Sequence, residues 1–199
     1  APTVANAISD QTIAEDSALN FQFASDVFRD VDAGDSLTYT ATLSDGNTLP
    51  SWLSFDASSR TFSGTPSNGD VGAIDITVMA TDGSSATATD TFTLTVTNTN
   101  DAPTVTSSET MSVDEDVAYS YTFVASDVDV GDTLTLAAPT KPSWLSFNTA
   151  TGVLSGTPSN DDVGTHAVVL TATDASGAAD TQSFNITVSN VNDVPTITS

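Results

Sequence analysis

Two stretches of this chain, Asp30-Val31-Asp32-Ala33-Gly34-Asp35 and Asp127-Val128-Asp129-Val130-Gly131-Asp132, alternate carboxylates around a glycine. Alternate aspartates in a loop that can turn sharply are a means of wrapping oxygen ligands around a hard cation. Calcium accepts about six to eight such oxygens in loose geometry, whereas magnesium demands a stricter octahedron. Further acids recur in pairs: Glu15-Asp16 with Glu115-Asp116, Asp70 with Asp162, and Asp82 with Asp174. Two Asn/Asp-rich segments complete the set, Asn98-Thr99-Asn100-Asp101 and Asn190-Val191-Asn192-Asp193. Asp and Asn also favour turns for their own reasons. The same set occurring twice, at corresponding places, favours Ca²⁺.

Other chemistries are poorly served. The 26 acidic and 3 basic residues leave a net charge of −23, which repels phosphate backbones and anionic lipid, so no nucleic-acid partner and no membrane insertion are expected. Arg29, Arg60 and Lys141 are too few to form an anion site. With no cysteine and one histidine, disulfides, thiolate catalysis, His-rich metal sites and a Ser-His-Asp set all fall away. Paired carboxylates can hydrolyse glycosides, but here they accompany Gly-Asp loops, and no phosphate-cradling glycine loop is present. The chain reads as non-enzymatic. No apolar run approaches a membrane span and the amino terminus lacks a signal-peptide pattern, so the expectation is a piece of a longer chain.

The acids are positioned by a sequence written twice. Ser51-Trp52-Leu53-Ser54-Phe55 recurs from Ser143 to Phe147, Gly64 to Asn68 recurs from Gly156 to Asn160, and Ala80-Thr81-Asp82 recurs as Ala172-Thr173-Asp174, all offset by 92. Ala1-Pro2-Thr3-Val4 recurs at Ala102 to Val105. Two modules follow, residues 1–99 and 100–199. The closing segment Asn190 to Pro195 repeats the linker, which implies a further copy downstream. The first module carries an insertion, Val27-Phe28-Arg29, read here as a mere difference in loop length.

Within each module the apolar period is two. Leu19, Phe21 and Phe23 alternate with polar residues, as do Leu37, Tyr39, Ala41 and Leu43, then Ile74, Ile76, Val78 and Ala80, then Phe92, Leu94 and Val96. The second module repeats this with Tyr119, Tyr121 and Phe123, Leu134 and Leu136, Val168, Leu170 and Ala172, and Phe184, Ile186 and Val188. Such alternation suits a sheet with one buried face. Short strands between Gly, Pro, Asn and Asp turns predict an all-β fold of two tandem immunoglobulin/cadherin-like Greek-key β-sandwiches. Trp52 and Trp144, each in a run with Leu and Phe, read as core, and His166 reads as a sheet-face residue.

Glu-Asp, Asp-x-Asp-x-Gly-Asp, Trp-Leu-x-Phe, Gly-Thr-Pro, Ala-Thr-Asp and Asn-x-Asn-Asp-x-Pro, in that order, resemble the dystroglycan-type cadherin-like repeats of bacterial surface and secreted proteins. The resemblance implies calcium ions at the junction of successive modules. A central set would draw Glu15, Asp16 and Asp70 from the first module, Asn98, Asn100 and Asp101 from the linker, and Asp127, Asp129, Asp132 and Asp174 from the second. Terminal half-sites would hold Asp30, Asp32, Asp35 and Asp82 at one end, and Glu115, Asp116, Asp162, Asn190, Asn192 and Asp193 at the other. The Asp-Arg-Glu motif of vertebrate cadherins is absent.

The functional expectation is a calcium-binding, calcium-rigidified extracellular repeat of a larger surface or secreted protein, acting in adhesion or as a spacer. Its partners would be neighbouring modules of the same chain, another copy, or a glycan. The alternative is a calcium-dependent carbohydrate-binding module, for which the sequence offers no exposed aromatic platform.

Overall fold

The structure is a computed structural model that describes residues 1–32 and 36–195. The chain divides into two compact units, Ala1–Thr99 and Asn100–Ser199. The first contains β1 (Pro2–Val4), β2 (Gln11–Ala14), β3 (Leu19–Gln22), β4 (Phe28–Asp30), β5 (Thr38–Leu43), β6 (Leu53–Asp56), β7 (Thr61–Gly64), β8 (Gly72–Thr81) and β9 (Thr87–Thr97). The second contains β10 (Thr104–Val105), β11 (Ser112–Asp114), β12 (Tyr119–Thr122), β13 (Ala125–Ser126), β14 (Thr135–Thr140), β15 (Leu145–Asn148), β16 (Val153–Gly156), β17 (Gly164–Thr173) and β18 (Ala179–Ser189). Among the described residues the helices are two single 3-10 turns, and no helix is long and apolar enough to cross a membrane.

In the first unit a four-stranded sheet, β2-β9-β8-β5, packs over a three-stranded sheet, β3-β7-β6, with β1 paired to β4. The second unit repeats this as β11-β18-β17-β14 over β12-β16-β15, with β10 paired to β13. Pairing is antiparallel except where β2 runs parallel to β9 and β11 parallel to β18. Neighbours that are not consecutive in sequence, such as β3 with β7 and β5 with β8, give each unit its Greek-key character.

The period-two rows become the inner faces. Ile76, Val78 and Ala80 on β8 are fully buried, as are Leu170 and Ala172 on β17. Each large side chain removed from water in this way contributes on the order of 1.5–3 kcal/mol. Aromatic rings close the layer between the sheets: Phe92 meets Phe21 at 5.7 Å and Phe62 at 5.5 Å, and Phe184 meets Tyr121 at 5.5 Å. Trp52 and Trp144 are half-buried against their cores, and Trp144 packs edge-on to both Tyr119 and His166. His166 lies on β17 opposite Ile186, with its Nε2 2.6 Å from the Asp162 carbonyl oxygen.

The recurrence of Trp-Leu-x-Phe with Gly-Thr-Pro has a steric cause. A Cβ on Gly64 would lie 1.9 Å from the Trp52 carbonyl oxygen, and one on Gly156 would lie 2.0 Å from that of Trp144. Only glycine lets the two strands approach so closely.

The insertion Val27-Phe28-Arg29 is more than a longer loop. Val27 and Phe28 are each 3% exposed and belong to the core, where Phe28 meets Phe23 and Tyr39. Phe28–Asp30 forms β4, which pairs along the whole of β1. The extra residues supply an apolar pair that the period-two rows do not announce.

This scaffold separates two poles in each unit. The ten residues of β8 and of β17 span roughly 30 Å at about 3.3 Å per residue. Acidic turns cluster at both ends of that span.

Candidate metal centres

At the carboxy pole of the first unit, Glu15 follows β2 in a tight turn. Its N–H donates to Thr97 O at 3.0 Å, and the Asp16 N–H donates to Pro66 O at 2.8 Å. Asp16 holds φ at 57°, a left-handed conformation that aspartate tolerates better than most residues. The turn drives the Glu15 side chain inward until it is 2% exposed. Its Oε1 accepts the Thr99 N–H at 2.7 Å, while Oε2 is buried with no donor. Asn98 is exposed just beyond β9.

The second unit repeats the arrangement. Glu115 is 2% exposed, its Oε1 accepts from Asn190 Nδ2 at 2.9 Å and from the Val191 N–H at 2.5 Å, and its Oε2 again lacks a donor. The Asp116 N–H bonds Pro158 O, with φ at 60°. Asn190 Nδ2 also donates to Val191 O, and Asn192 Nδ2 donates to Asp193 O.

Asp70 and Asp162 have a structural job at the same poles. Each closes a 3-10 turn by accepting at Oδ2 from the backbone N–H and hydroxyl of Ser67 or Ser159. The Ser159 backbone N–H, followed by its hydroxyl, holds the Asp162 carboxyl below its ordinary value. The motif Ser-x-x-Asp carried this capping signal in the sequence.

The amino poles gather the Asp-x-Asp and Ala-Thr-Asp turns. In the second unit, Asp127, Asp132 and Asp174 each present an oxygen within 4.8 Å of the others. Asp127 Oδ1 accepts the Asp129 N–H at 2.9 Å, and Asp127 Oδ2 is buried without a donor. Asp129 Oδ2 accepts the Asp101 N–H at 2.9 Å. Asp174 accepts from Asn100 Nδ2 and from the Ala178 N–H, both at 2.8 Å. The Asn100 amide is the main reason its carboxyl sits below the usual carboxylate range.

In the first unit, Asp30 Oδ1 accepts the Asp32 N–H at 3.0 Å, and Asp30 Oδ2 is buried without a donor. Asp82 Oδ1 accepts from the Ser84 and Ala86 N–H groups. The Ala1 ammonium lies 3.0 Å from Asp32, 3.3 Å from Asp30 and 3.5 Å from Asp82. The Asp32 hydrogen bond is the largest cause that raises this amino group to about 10. Asp35, named with this pole from the sequence, lies outside the described residues.

Among the described residues, four carboxylate oxygens are therefore buried with no hydrogen-bond partner: Glu15 Oε2, Glu115 Oε2, Asp30 Oδ2 and Asp127 Oδ2. They form two homologous pairs, one per pole. A buried anionic oxygen without a donor is costly. The donor set around them is all oxygen, which suits a hard divalent cation and not a soft one.

Other aspartates, not singled out from the sequence, are structural. Asp90 Oδ2 accepts the Ile8 N–H at 2.6 Å, and in the second unit, at a different position of the repeat, Asp180 Oδ2 accepts the Val105 N–H at 2.8 Å. They tie the first segment of each unit to its last strand. No spacing rule distinguishes them from exposed acids, because the donor lies some 80 residues away in sequence.

Sheet order, twin cores and repeated poles define tandem immunoglobulin-like β-sandwiches. Residues 1–97 and 102–189 each match the family model described as "Putative Ig domain", and the chain belongs to that family. A 140-residue stretch is 33% identical to the "Serine-rich adhesin for platelets" of Staphylococcus aureus strain MRSA252, covering 70% of this chain and 10% of that protein. The chain thus spans about a tenth or less of the length of the curated relatives it matches. Mouse cadherin-23 EC22-24 is similar in fold, with a TM-score of 0.59 at 18% identity over 94% of this chain and 64% of that one. Protocadherin gamma B2 extracellular cadherin domains 3-6 are similar at a TM-score of 0.55 and 18% identity, over 96% and 53% of the two chains. An endo-fucoidan hydrolase from glycoside hydrolase family 107 aligns at 24% identity over 93% of this chain and 28% of that one, with a TM-score of 0.40, too low to carry structural equivalence.

Proposed function

We propose that these repeats bind calcium at their poles and serve as stiffened extracellular modules of a larger surface or secreted protein, in adhesion or as a spacer. The observation that carries the reading is the matched set of donorless buried oxygens, Glu15 with Glu115 and Asp30 with Asp127. A calcium ion satisfies such oxygens directly and reverses the mutual repulsion of the acids around them. The similarity to an adhesin and the cadherin-like fold support the same reading, as does the order of motifs shared with dystroglycan-type cadherin-like repeats.

In this reading Glu15, Asp16 and Asn98 at one pole, and Asp127, Asp129, Asp132 and Asp174 with Asn100 and Asp101 at the other, flank the linker by chain connectivity alone. Ions held by both sets restrain it. Asp70 and Asp162 contribute only through Oδ1, since Oδ2 closes the cap. Glu115, Asp116, Asn190, Asn192 and Asp193 take the same part toward a following module, and Asp30, Asp32, Asp35 and Asp82 toward a preceding one. Extracellular modules hold calcium at about 10⁻⁴ to 10⁻³ M, so they load outside a cell and empty within it.

Small-angle scattering of the chain in calcium and in chelator tests the proposal. Calcium is expected to raise the radius of gyration and narrow the distribution of dimensions. Identical profiles in the two buffers overturn it.

A further inference from the structure

Strands β5 and β14 are the same edge strand in the two repeats, yet their free edges differ. β14 is broken by a register shift between Ala137 and Thr140, contains Pro139, and is followed by Lys141, whose ammonium donates to Leu145 O at 2.6 Å. Proline, irregularity and a nearby lysine are how edges are kept from pairing with other chains. β5 has none of these: Thr38 to Leu43 pair with β8 in unbroken register, with neither proline nor charge.

The turn after β5 shows which backbone groups face outward. The Ser44 N–H donates to Asp75 O, toward β8, whereas the Leu43 N–H donates to Asn47 O and Leu43 O accepts from Gly46 N. In an antiparallel ladder these directions alternate. Thr42, Thr40 and Thr38 therefore bond β8, and the N–H and C=O of Ala41 and Tyr39 face outward.

Beside this edge runs a groove of about 470 Å³ lined by Tyr39, Ala41, Thr48, Leu49, Phe55 and Ala57. Tyr39, Leu49 and Phe55 are only half-buried there, although Ile76, Val78 and Ala80 on the adjacent strand are fully covered. The sandwich is open on this side. Asp45, in the turn after β5, and Asp56, next to the lining residue Phe55, are exposed, and the net charge of −23 disfavours a second copy as the occupant.

We propose that the β5 edge of the first repeat accepts an extended polypeptide strand with alternating apolar and basic residues, bonded through the Tyr39 and Ala41 main chain. Apolar side chains cover Tyr39, Leu49 and Phe55, and basic ones meet Asp45 and Asp56. This is strand addition to an exposed sheet edge, with main-chain bonds giving affinity and alternate side chains giving selectivity. It does not depend on calcium at the poles.

The test adds a capped peptide of three Lys-Val repeats to the full chain held in calcium, and follows amide hydrogen exchange. The expected result is slowed exchange at Tyr39 and Ala41, on the order of tenfold or more at saturation. Binding is expected to weaken at least about tenfold when every peptide amide is N-methylated, when Glu replaces Lys, or in the Ala41→Pro chain. Ala41→Pro removes only an outward N–H, which an edge strand tolerates. The N-methylated peptide gives the same discrimination without altering the protein. Equal binding of the N-methylated peptide, unchanged exchange at Tyr39 and Ala41, or protection of those amides in a dimer formed without peptide overturns the proposal.

Discussion

Asp129 donates its backbone N–H to Oδ1 of Asp127 at 2.9 Å, which pins the Asp127 carboxylate and leaves its Oδ2 buried without a donor. Asp32 does the same for Asp30 in the other repeat. The loop thus spends one hydrogen bond on orientation and reserves the second oxygen. A buried carboxylate oxygen without a donor costs stability, and a cation bound there offsets that cost.

Asp127→Asn keeps an acceptor for the Asp129 N–H and removes the charge. In chelator the variant is expected to melt at or above the parent temperature, because crowding with Asp132 and Asp174 is relieved. In calcium it is expected to melt below the parent. A ligand present at a hundredfold excess over its Kd stabilises by about 2.7 kcal/mol, which for a domain of this size is a shift on the order of 10 °C. Differential scanning calorimetry in both buffers reads the change of sign.

Gly64→Ala and Gly156→Ala each push a methyl group into a tryptophan carbonyl. The β6–β7 or β15–β16 pairing must yield, at a cost toward or beyond the upper end of about 1–3 kcal/mol. Denaturant unfolding of each variant checks this. The loss is expected to be the same with and without calcium, since neither glycine lies at a carboxylate.

Tyr121→Phe removes a hydroxyl that bonds Gln182 Oε1 at 2.5 Å and Ser107 Oγ at 2.7 Å. Phe21 occupies the matching place in the first repeat and packs on Phe92 without such a network. The variant is expected to lose about 1–2 kcal/mol from the second repeat because its polar partners are left unsatisfied. Chemical denaturation monitored at Trp144 reports that repeat, and calcium affinity is expected to be unchanged.

Asp56 is held at about 2, chiefly by the Ser58 hydroxyl and then by hydrogen bonds from Ser59 and the Ser58 backbone. Its folded value is depressed, so it contributes stability that is full above the ordinary carboxylate value of 3.8 and is lost as pH falls through about 2. Titration of the Asp56 carboxyl carbon by NMR is expected to give a midpoint near 2. Asp56→Asn is expected to flatten the acid limb of the stability profile between those values.

The rows Ile76-Val78-Ala80 and Phe92-Leu94-Val96 were legible because a one-residue slip would expose every member. Fold class follows from them. The parallel pairing of β2 with β9 was not legible, because Gln11 and Leu94 meet across more than 80 residues and no local signal marks the partner. Val27 and Phe28 escaped for a related reason: three extra residues look like slack until β4 is seen to pair with β1. At the poles, the spacing of the acids showed which residues were candidates. It did not show that Glu15 and Glu115 are driven to 2% exposure by a left-handed turn at the next residue. Nor did it separate Asp70 and Asp162, which close a cap, from Asp127, whose second oxygen has no donor.

Calorimetric titration of calcium into the chelator-stripped chain tests the central claim most directly. The account predicts saturable heat at about 10⁻⁴ to 10⁻³ M calcium, with more than one ion per chain and weaker uptake when Glu15 or Asp127 is replaced by its amide. Absence of saturable heat through about 10 mM calcium, an order of magnitude above that range, contradicts it.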